Sequence, residues 1–270
     1  MRIIFLFLFF IGTLGCSFAL TSFPLTFKTY FQDNPADSLA FRTGLSYGRS
    51  LKQNENWQWL GRVGQHFSIV EINKNNKTFL GGVRFDLATT MDNSAYRFSH
   101  FQIFTLDGRF GLFLDFKKDS LITQIALDHW SAHYVDGSSI SLISNRSTYS
   151  FEDAKFSLNY NLSEHLKLFG QLTAIFSGQK KFIGKLTSNL GALYLFTFSK
   201  KINPLASINF YMDGKNQYGV EKSVLLGVGL GKQTDHFIIG MQYIDGFKKQ
   251  GMNYNRKMEY IGASIILPFF

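Results

Sequence analysis

The sequence predicts an all-β protein, a transmembrane antiparallel β-barrel of about 12 strands. Three features carry that expectation: an apolar N-terminal leader, period-two alternation over most of the chain after it, and a rhythm of short turns and longer loops. Of the 270 residues, 45% are apolar, 17% aromatic and only 17% charged. So few charges and so many aromatics exclude a disordered chain. The one cysteine, Cys16, excludes a disulfide framework and a cysteine-based zinc module. A mean hydropathy of −0.02 excludes a polytopic helical membrane protein. The length allows one large domain, and no linker or repeat divides it.

The leader comes first. Met1-Arg2 gives a positive start, Ile3 to Leu14 is an almost unbroken apolar run, and Gly15, Cys16, Ser17 and Ala19 are small. This is the layout of a secretory signal, with cleavage expected after Ala19. The run is too short for a membrane span of about 20 residues. A rival reading takes Thr13-Leu14-Gly15-Cys16 as a lipoprotein box acylated at Cys16. The formal net charge of +9 becomes about +8 once Arg2 is removed. Residues 20–38 read as a lead-in and 39–270 as the barrel, although 20–56 could hold an extra hairpin.

Beyond the leader, apolar residues recur every second position. Phe110, Leu112, Leu114 and Phe116 share one face, against Arg109, Gly111, Phe113 and Asp115. Phe79, Val83, Phe85 and Leu87 oppose Gly82, Arg84 and Asp86. Val224, Leu226, Val228 and Leu230 oppose Ser223, Leu225 and three glycines, and Ile261, Ala263, Ile265 and Leu267 alternate with Gly262, Ser264 and Ile266. Period two means strands. One face is bulky and apolar while the other carries Arg, Asp, Gln and Gly, which reads as lipid outside and a polar lumen inside. Closure is what lets strands cross a bilayer, because it satisfies every backbone polar group.

Counting back from the end gives strands near 257–269, 235–245, 221–232, 203–212, 186–198, 165–176, 147–161, 120–135, 108–117, 95–106, 78–90 and 57–71, with 39–51 ambiguous. Short turns near 118, 163, 201 and 233 alternate with longer loops at 136–146, 177–185, 213–220 and 246–256. Short turns face the periplasm and long loops the outside, so strand 120–135 runs outward. Arg62 and His66 then share the interior with Arg84 and Asp86, as an internal salt-bridge network or a pore lining. Asp86, Asp107, Asp115 and Asp128 do not form a spaced metal loop. The glycines at 227, 229 and 231 lack the spacing of a nucleotide fingerprint. No motif identifies a cofactor, and no nucleic-acid partner is expected. Lys180-Lys181 and Lys248-Lys249 fall in outer loops, where they could meet lipopolysaccharide phosphates.

One segment carries possible chemistry. His129, Ser131 and His133 lie on the apolar face of their strand, while Gln124, Ala126 and Asp128 lie opposite. Polar groups on a lipid-facing wall are costly and point to function. An imidazole two residues from a serine can take its proton, the minimum for an acyl-transfer nucleophile. A third group should orient that imidazole. If the next hairpin pairs residues whose numbers sum to about 281, His129 faces Glu152 and Ser131 faces Ser150. The candidate catalytic set is therefore Ser131, His129 and Glu152, with His133 as a second base or phosphate contact and Asn145 as a weaker third member. A purely structural role is the alternative, with Trp130 and Tyr134 forming part of an interfacial aromatic belt.

These residues carry resemblances. The run Phe85-Asp86-Leu87, Asn93, Tyr96, His129-x-Ser131-x-His133-x-x-Asp136, followed by Arg146, Ser150 and Glu152 and by Tyr260-Ile261-Gly262, resembles an uncharacterised family of exported bacterial barrels. That family carries an H-x-S-S-H-x-x-D-like segment; here Ala132 and Gly137 depart from it. The closing Leu267-Pro268-Phe269-Phe270 resembles the terminal signal of bacterial outer-membrane barrels, and implies recognition by the barrel assembly machinery through Phe270. More distantly, the His-x-Ser pair is similar to those of outer-membrane phospholipase A, which adds an Asn on the next strand, and lipid A deacylase, which adds a Glu. Both place the pair on the lipid-facing wall near the outer leaflet. Ala132 stands where both have Asn, which leaves the oxyanion donors open. The resemblances imply a bacterial outer-membrane location, with membrane lipids and lipopolysaccharide as partners. Two functions follow as expectations: a structural or transport barrel, or alternatively a lipid or lipid A acyl hydrolase.

Overall fold

A computed structural model describes residues 29–38, 40, 43–51, 57–92, 102–134, 149–178, 184–196, 199, 201–231, 237–247 and 257–267. The leader, Asn93, Tyr96, Asp136, Asn145, Arg146, the two outer-loop lysine pairs and Phe270 lie outside these residues, as does the side chain of Tyr134.

Twelve antiparallel strands close into a barrel. They are β1 (Thr43–Ser50), β2 (Gln58–Lys74), β3 (Lys77–Asp92), β4 (Gln102–Lys118), β5 (Leu121–Tyr134) and β6 (Tyr149–Asn161), followed by β7 (Leu166–Gly178), β8 (Leu186–Leu195), β9 (Ile202–Asp213), β10 (Gly219–Leu230), β11 (Phe237–Phe247) and β12 (Lys257–Leu267). Each strand pairs with its sequence neighbours, and β1 closes on β12 with Thr43 opposite Leu267. The tight turns gather at one end. Asn75 and Asn76 there take positive φ, 48° and 59°, the geometry a two-residue hairpin between twisted strands requires.

The expected strands differ at two places, and the two differences cancel in the count. Residues 95–106 and 108–117 are not two strands, because β4 runs without a turn from Gln102 to Lys118. Asp107-Gly108 has turn chemistry, yet Asp107 is buried in the lumen while Leu106 and Phe110 face outward, so the alternation continues through it. The ambiguous 39–51 segment supplies the missing strand, β1.

The two faces sort as alternation requires. Val63, Leu87, Phe110, Ile125, Leu190 and Leu226 are among the apolar side chains exposed on the outer wall. Arg62, Arg84, Asp86, Asp107, Arg109, Asp115, Gln124, Asp128, Asp153 and Lys155 are buried in the lumen. A closed sheet with an apolar exterior is built for hydrocarbon.

Residues 29–38 and Ala40 lie within the lumen of the barrel. Asn34-Pro35-Ala36-Asp37 makes a tight turn, with Asp37 N donating to Asn34 O at 2.9 Å and Ala36 N to Asn34 Oδ1 at 2.9 Å. Asn at the first position and Pro at the second favour such a turn. Its backbone is held from around the wall. Ala36 O accepts from Ser223 Oγ (2.8 Å) and Gln242 Nε2 (3.1 Å), and Gln32 O accepts from Asn159 Nδ2 (2.6 Å). Arg62 Nη1 donates to Ser38 O (2.7 Å) and Ala40 O (2.9 Å). Gly191 is required here, since a Cβ on it would overlap the Asn34 amide. Two apolar clusters support the segment from within: Leu80, Phe113 and Ala126 under Tyr30, and Phe169, Leu193, Leu205, Leu225 and Ile266 around Ala36. The lumen is therefore polar only in part.

Candidate functional site

Residues 128 and 129 point to opposite sides of the same sheet, and two polar clusters grow from them. Asp128 faces inward. Arg84 Nε donates to its Oδ1 at 2.8 Å, and Lys155 Nζ lies 3.3 Å from Oδ2. Gln124 joins Arg84 to Asp115, whose Oδ2 accepts from the backbone N–H groups of Tyr30 (2.8 Å) and Phe31 (3.2 Å). Alongside, Asp86 lies 3.3 Å from Arg62 and 3.0 Å from Arg109. The expected internal network of Arg62, Arg84 and Asp86 is thus present. His66 belongs to it by position, set edge-on to Phe113 at 5.0 Å.

His129 faces outward. The β5–β6 register pairs His129 with Glu152 and Ser131 with Ser150, both sums being 281. His129 Nδ1 lies 3.2 Å from Glu152 Oε1, with side chains 51% and 37% exposed on the outer wall. Ser131 sits on the same face one step nearer the loop end of β5. Residues two apart on a strand stand about 7 Å apart, within reach of an imidazole and a hydroxyl. Among the described residues Ser131 has no side-chain hydrogen-bond partner. His133 is exposed one step further along, opposite Leu106. The structure therefore brings Ser131, His129 and Glu152 onto one patch, with His133 at its edge.

Three features of the patch were not anticipated. The first is Gly108, which lies opposite Ser131 on β4. It leaves a notch in a wall otherwise bulky with Leu87, Leu106 and Phe110, and a Cβ there would come within 3.3 Å of Ser131 Oγ. The second is Ser177 on β7, which the register sets directly opposite Glu152. The third corrects the aromatic belt. Trp130 shares the parity of Asp128 and is buried in the lumen, stacked on Phe151 at 5.6 Å and beneath Arg109 at 4.9 Å. The 128/130 parity was available to signal this; for Ser177 no local pattern was.

Beside Trp130 and Phe151 lies a lumenal cavity of about 30 Å³, lined also by Arg109, Asp153, Lys155 and Lys215. Its polar lining and volume suit ordered water. Among the described residues no group of His, Cys, Asp and Glu is arranged to hold a metal ion.

A closed twelve-strand antiparallel barrel, an apolar wall and short turns at one end define a class of fold, that of the outer-membrane β-barrels, and this chain has that fold. Solved structures of the same fold include outer membrane phospholipase A from Escherichia coli, with a TM-score of 0.57 at 12% identity over 86% of this chain and 94% of that one. The calcium-bound dimer of the Salmonella typhi outer membrane phospholipase aligns with a TM-score of 0.56 at 13% identity, covering 91% and 96%. No family model matches the sequence and no curated protein matches it.

Proposed function

We propose that this barrel is an acyl hydrolase of outer-membrane lipids, with Ser131 as nucleophile, His129 as general base and Glu152 as the carboxylate that orients His129. The observation that carries the reading is the His129 Nδ1 contact with Glu152 Oε1 at 3.2 Å on the lipid-facing wall, with Ser131 two residues along the same face. Removing polar groups from water into a membrane environment is costly, and this patch has no lumenal partner to stabilise it. The names of the two solved neighbours, both phospholipases, agree with the reading.

The chemistry runs as follows. With Nδ1 held by the carboxylate, the Nε2 edge of His129 is left for Ser131. It takes the Ser131 proton as Oγ attacks the ester carbonyl carbon of an acyl chain lying in the wall. The carbonyl π pair moves to oxygen, giving a tetrahedral oxyanion. Ser150, paired with Ser131 across the hairpin, is a candidate donor to that oxyanion. Collapse expels the lipid alcohol, which takes the proton from the imidazolium, and leaves an acyl-serine. Water, deprotonated by the same imidazole, then releases the fatty acid. Glu152 stabilises the imidazolium through both halves. The transport reading has less support, because residues 29–38, Ala40 and the Arg84–Asp128 network occupy much of the lumen that a solute would cross.

The test supplies the purified barrel with radiolabelled phospholipid in one arm and lipopolysaccharide in another. Fatty acid should be released in one of the two arms, and Ser131→Ala should reduce that release by about a thousandfold or more. Equal release by both proteins, or none from either, overturns the proposal.

A further inference from the structure

We infer that Ser177 is a positioning residue for Glu152, and that a β-bulge at Phe176 exists to place it there. This rests on the hydrolase reading of the site. Along β6 and β7 the paired numbers sum to 328 from Ala154 opposite Ala174 to Asp153 opposite Ile175. One step later Glu152 faces Ser177 and Phe151 faces Gly178, sums of 329, so Phe176 is the extra residue. In an unbroken ladder Phe176 would stand against Glu152 and Ser177 would turn toward the lumen. The bulge instead leaves Phe176 and Ser177 both on the outer wall. A bulge re-aims side chains in this way, and bulges concentrate beside active sites.

The consequence is a row running across three strands: His129 on β5, Glu152 on β6, Ser177 on β7. A carboxylate on a lipid-facing wall has little water to accept from. Glu152 has His129 Nδ1 at 3.2 Å on one side and Ser177 paired against it on the other, where the hydroxyl can donate to the carboxylate. That fixes its Oε1 toward His129 Nδ1, and so keeps the other edge of the imidazole toward Ser131. Ser177 touches neither substrate nor nucleophile. It acts through Glu152 alone.

A double-mutant cycle read by covalent labelling tests this without needing the natural lipid. The probe is an alkyl fluorophosphonate, whose phosphorus is attacked by an activated serine with loss of fluoride. The full barrel is used in detergent micelles, with its heat-modifiable gel mobility reporting folding. Wild type is expected to label at Ser131. Ser177→Ala should slow labelling about fivefold, Ser177→Thr should restore it, and Ser177→Ala should cost nothing further in a Glu152→Gln background. Unchanged labelling in Ser177→Ala, or the same loss with and without Glu152, overturns the positioning role while leaving the hydrolase reading intact. Absence of wild-type labelling at Ser131 overturns both.

Discussion

Asp128 and His129 are neighbours in sequence, yet each anchors a polar pair in a different environment. Inside, Arg84 and Asp128 are 1% and 0% exposed, and Lys155, Gln124 and Asp115 extend their contacts to the backbone of residues 29–40. Outside, His129 and Glu152 are half-open to the membrane, and Ser177 stands opposite Glu152 on the next strand. The inner pair is satisfied on every side and ties wall to plug. The outer pair ties two adjacent strands that the backbone ladder already joins. The difference teaches where to look for chemistry: polar groups that hold nothing together, in the environment least tolerant of them, are the ones with something else to do.

The comparison breaks most sharply under one chemical change made on both sides. Asp128→Asn leaves the buried Arg84 and Lys155 facing a neutral amide. Losing one partner of a buried ion pair costs about 3–5 kcal/mol, so the barrel should unfold at clearly lower urea concentration. Ser131-dependent hydrolysis, corrected for the folded fraction, should persist. Glu152→Gln should do the reverse. Its denaturation midpoint should shift by no more than about 0.5 kcal/mol worth of stability, while hydrolysis falls about a hundredfold. If both variants lose stability alike, the outer pair is structural and the contrast fails.

Much of this was legible because a barrel writes its environment into every second residue. Alternation placed Ser131, His129 and Glu152 on one face, and the phase that kept Phe156, Leu158 and Tyr160 outside also set the 281 register. What escaped had non-local causes. Asp107-Gly108 looks like a turn, and only the unbroken inward run of Thr105, Asp107 and Arg109 shows otherwise. Ser177 needs a bulge, and a bulge shifts parity by one residue without marking which one. The lumenal seat of residues 29–40 depends on partners as distant in sequence as Ile208, Ser223 and Gln242, so no local reading could place it.

That segment offers a smaller test of the inner region. Asn34 Nδ2 donates to Ile208 O at 2.8 Å, and its Oδ1 accepts from Ala36 N at 2.9 Å and from the Ser207 hydroxyl. Asn34→Ala removes the donor to the Ile208 carbonyl, the acceptor for Ser207 and one of the turn's two internal bonds. A loss of about 2 kcal/mol in barrel stability is expected, read by chemical denaturation in micelles. An unchanged midpoint would mean that the plug lies loosely in the lumen and contributes nothing to the wall.

The smallest effect expected is also the most specific to the outer face. Gly108 is a gap in an otherwise bulky wall, beside Ser131 and flanked by Leu87, Leu106 and Phe110. An acyl chain approaching the serine from the membrane can lie in that gap. Gly108→Val is well suited to a strand and adds methyl groups near Ser131 Oγ, so folding should be unaffected. Hydrolysis of a long-chain ester should fall about tenfold, the scale on which a pocket discriminates by one or two methyl groups. A short-chain soluble ester, which needs only the carbonyl at the serine, should be hydrolysed with a smaller loss. An equal loss on both esters would mean that the valine disturbs Ser131 itself, and the notch would then have no part in holding the chain.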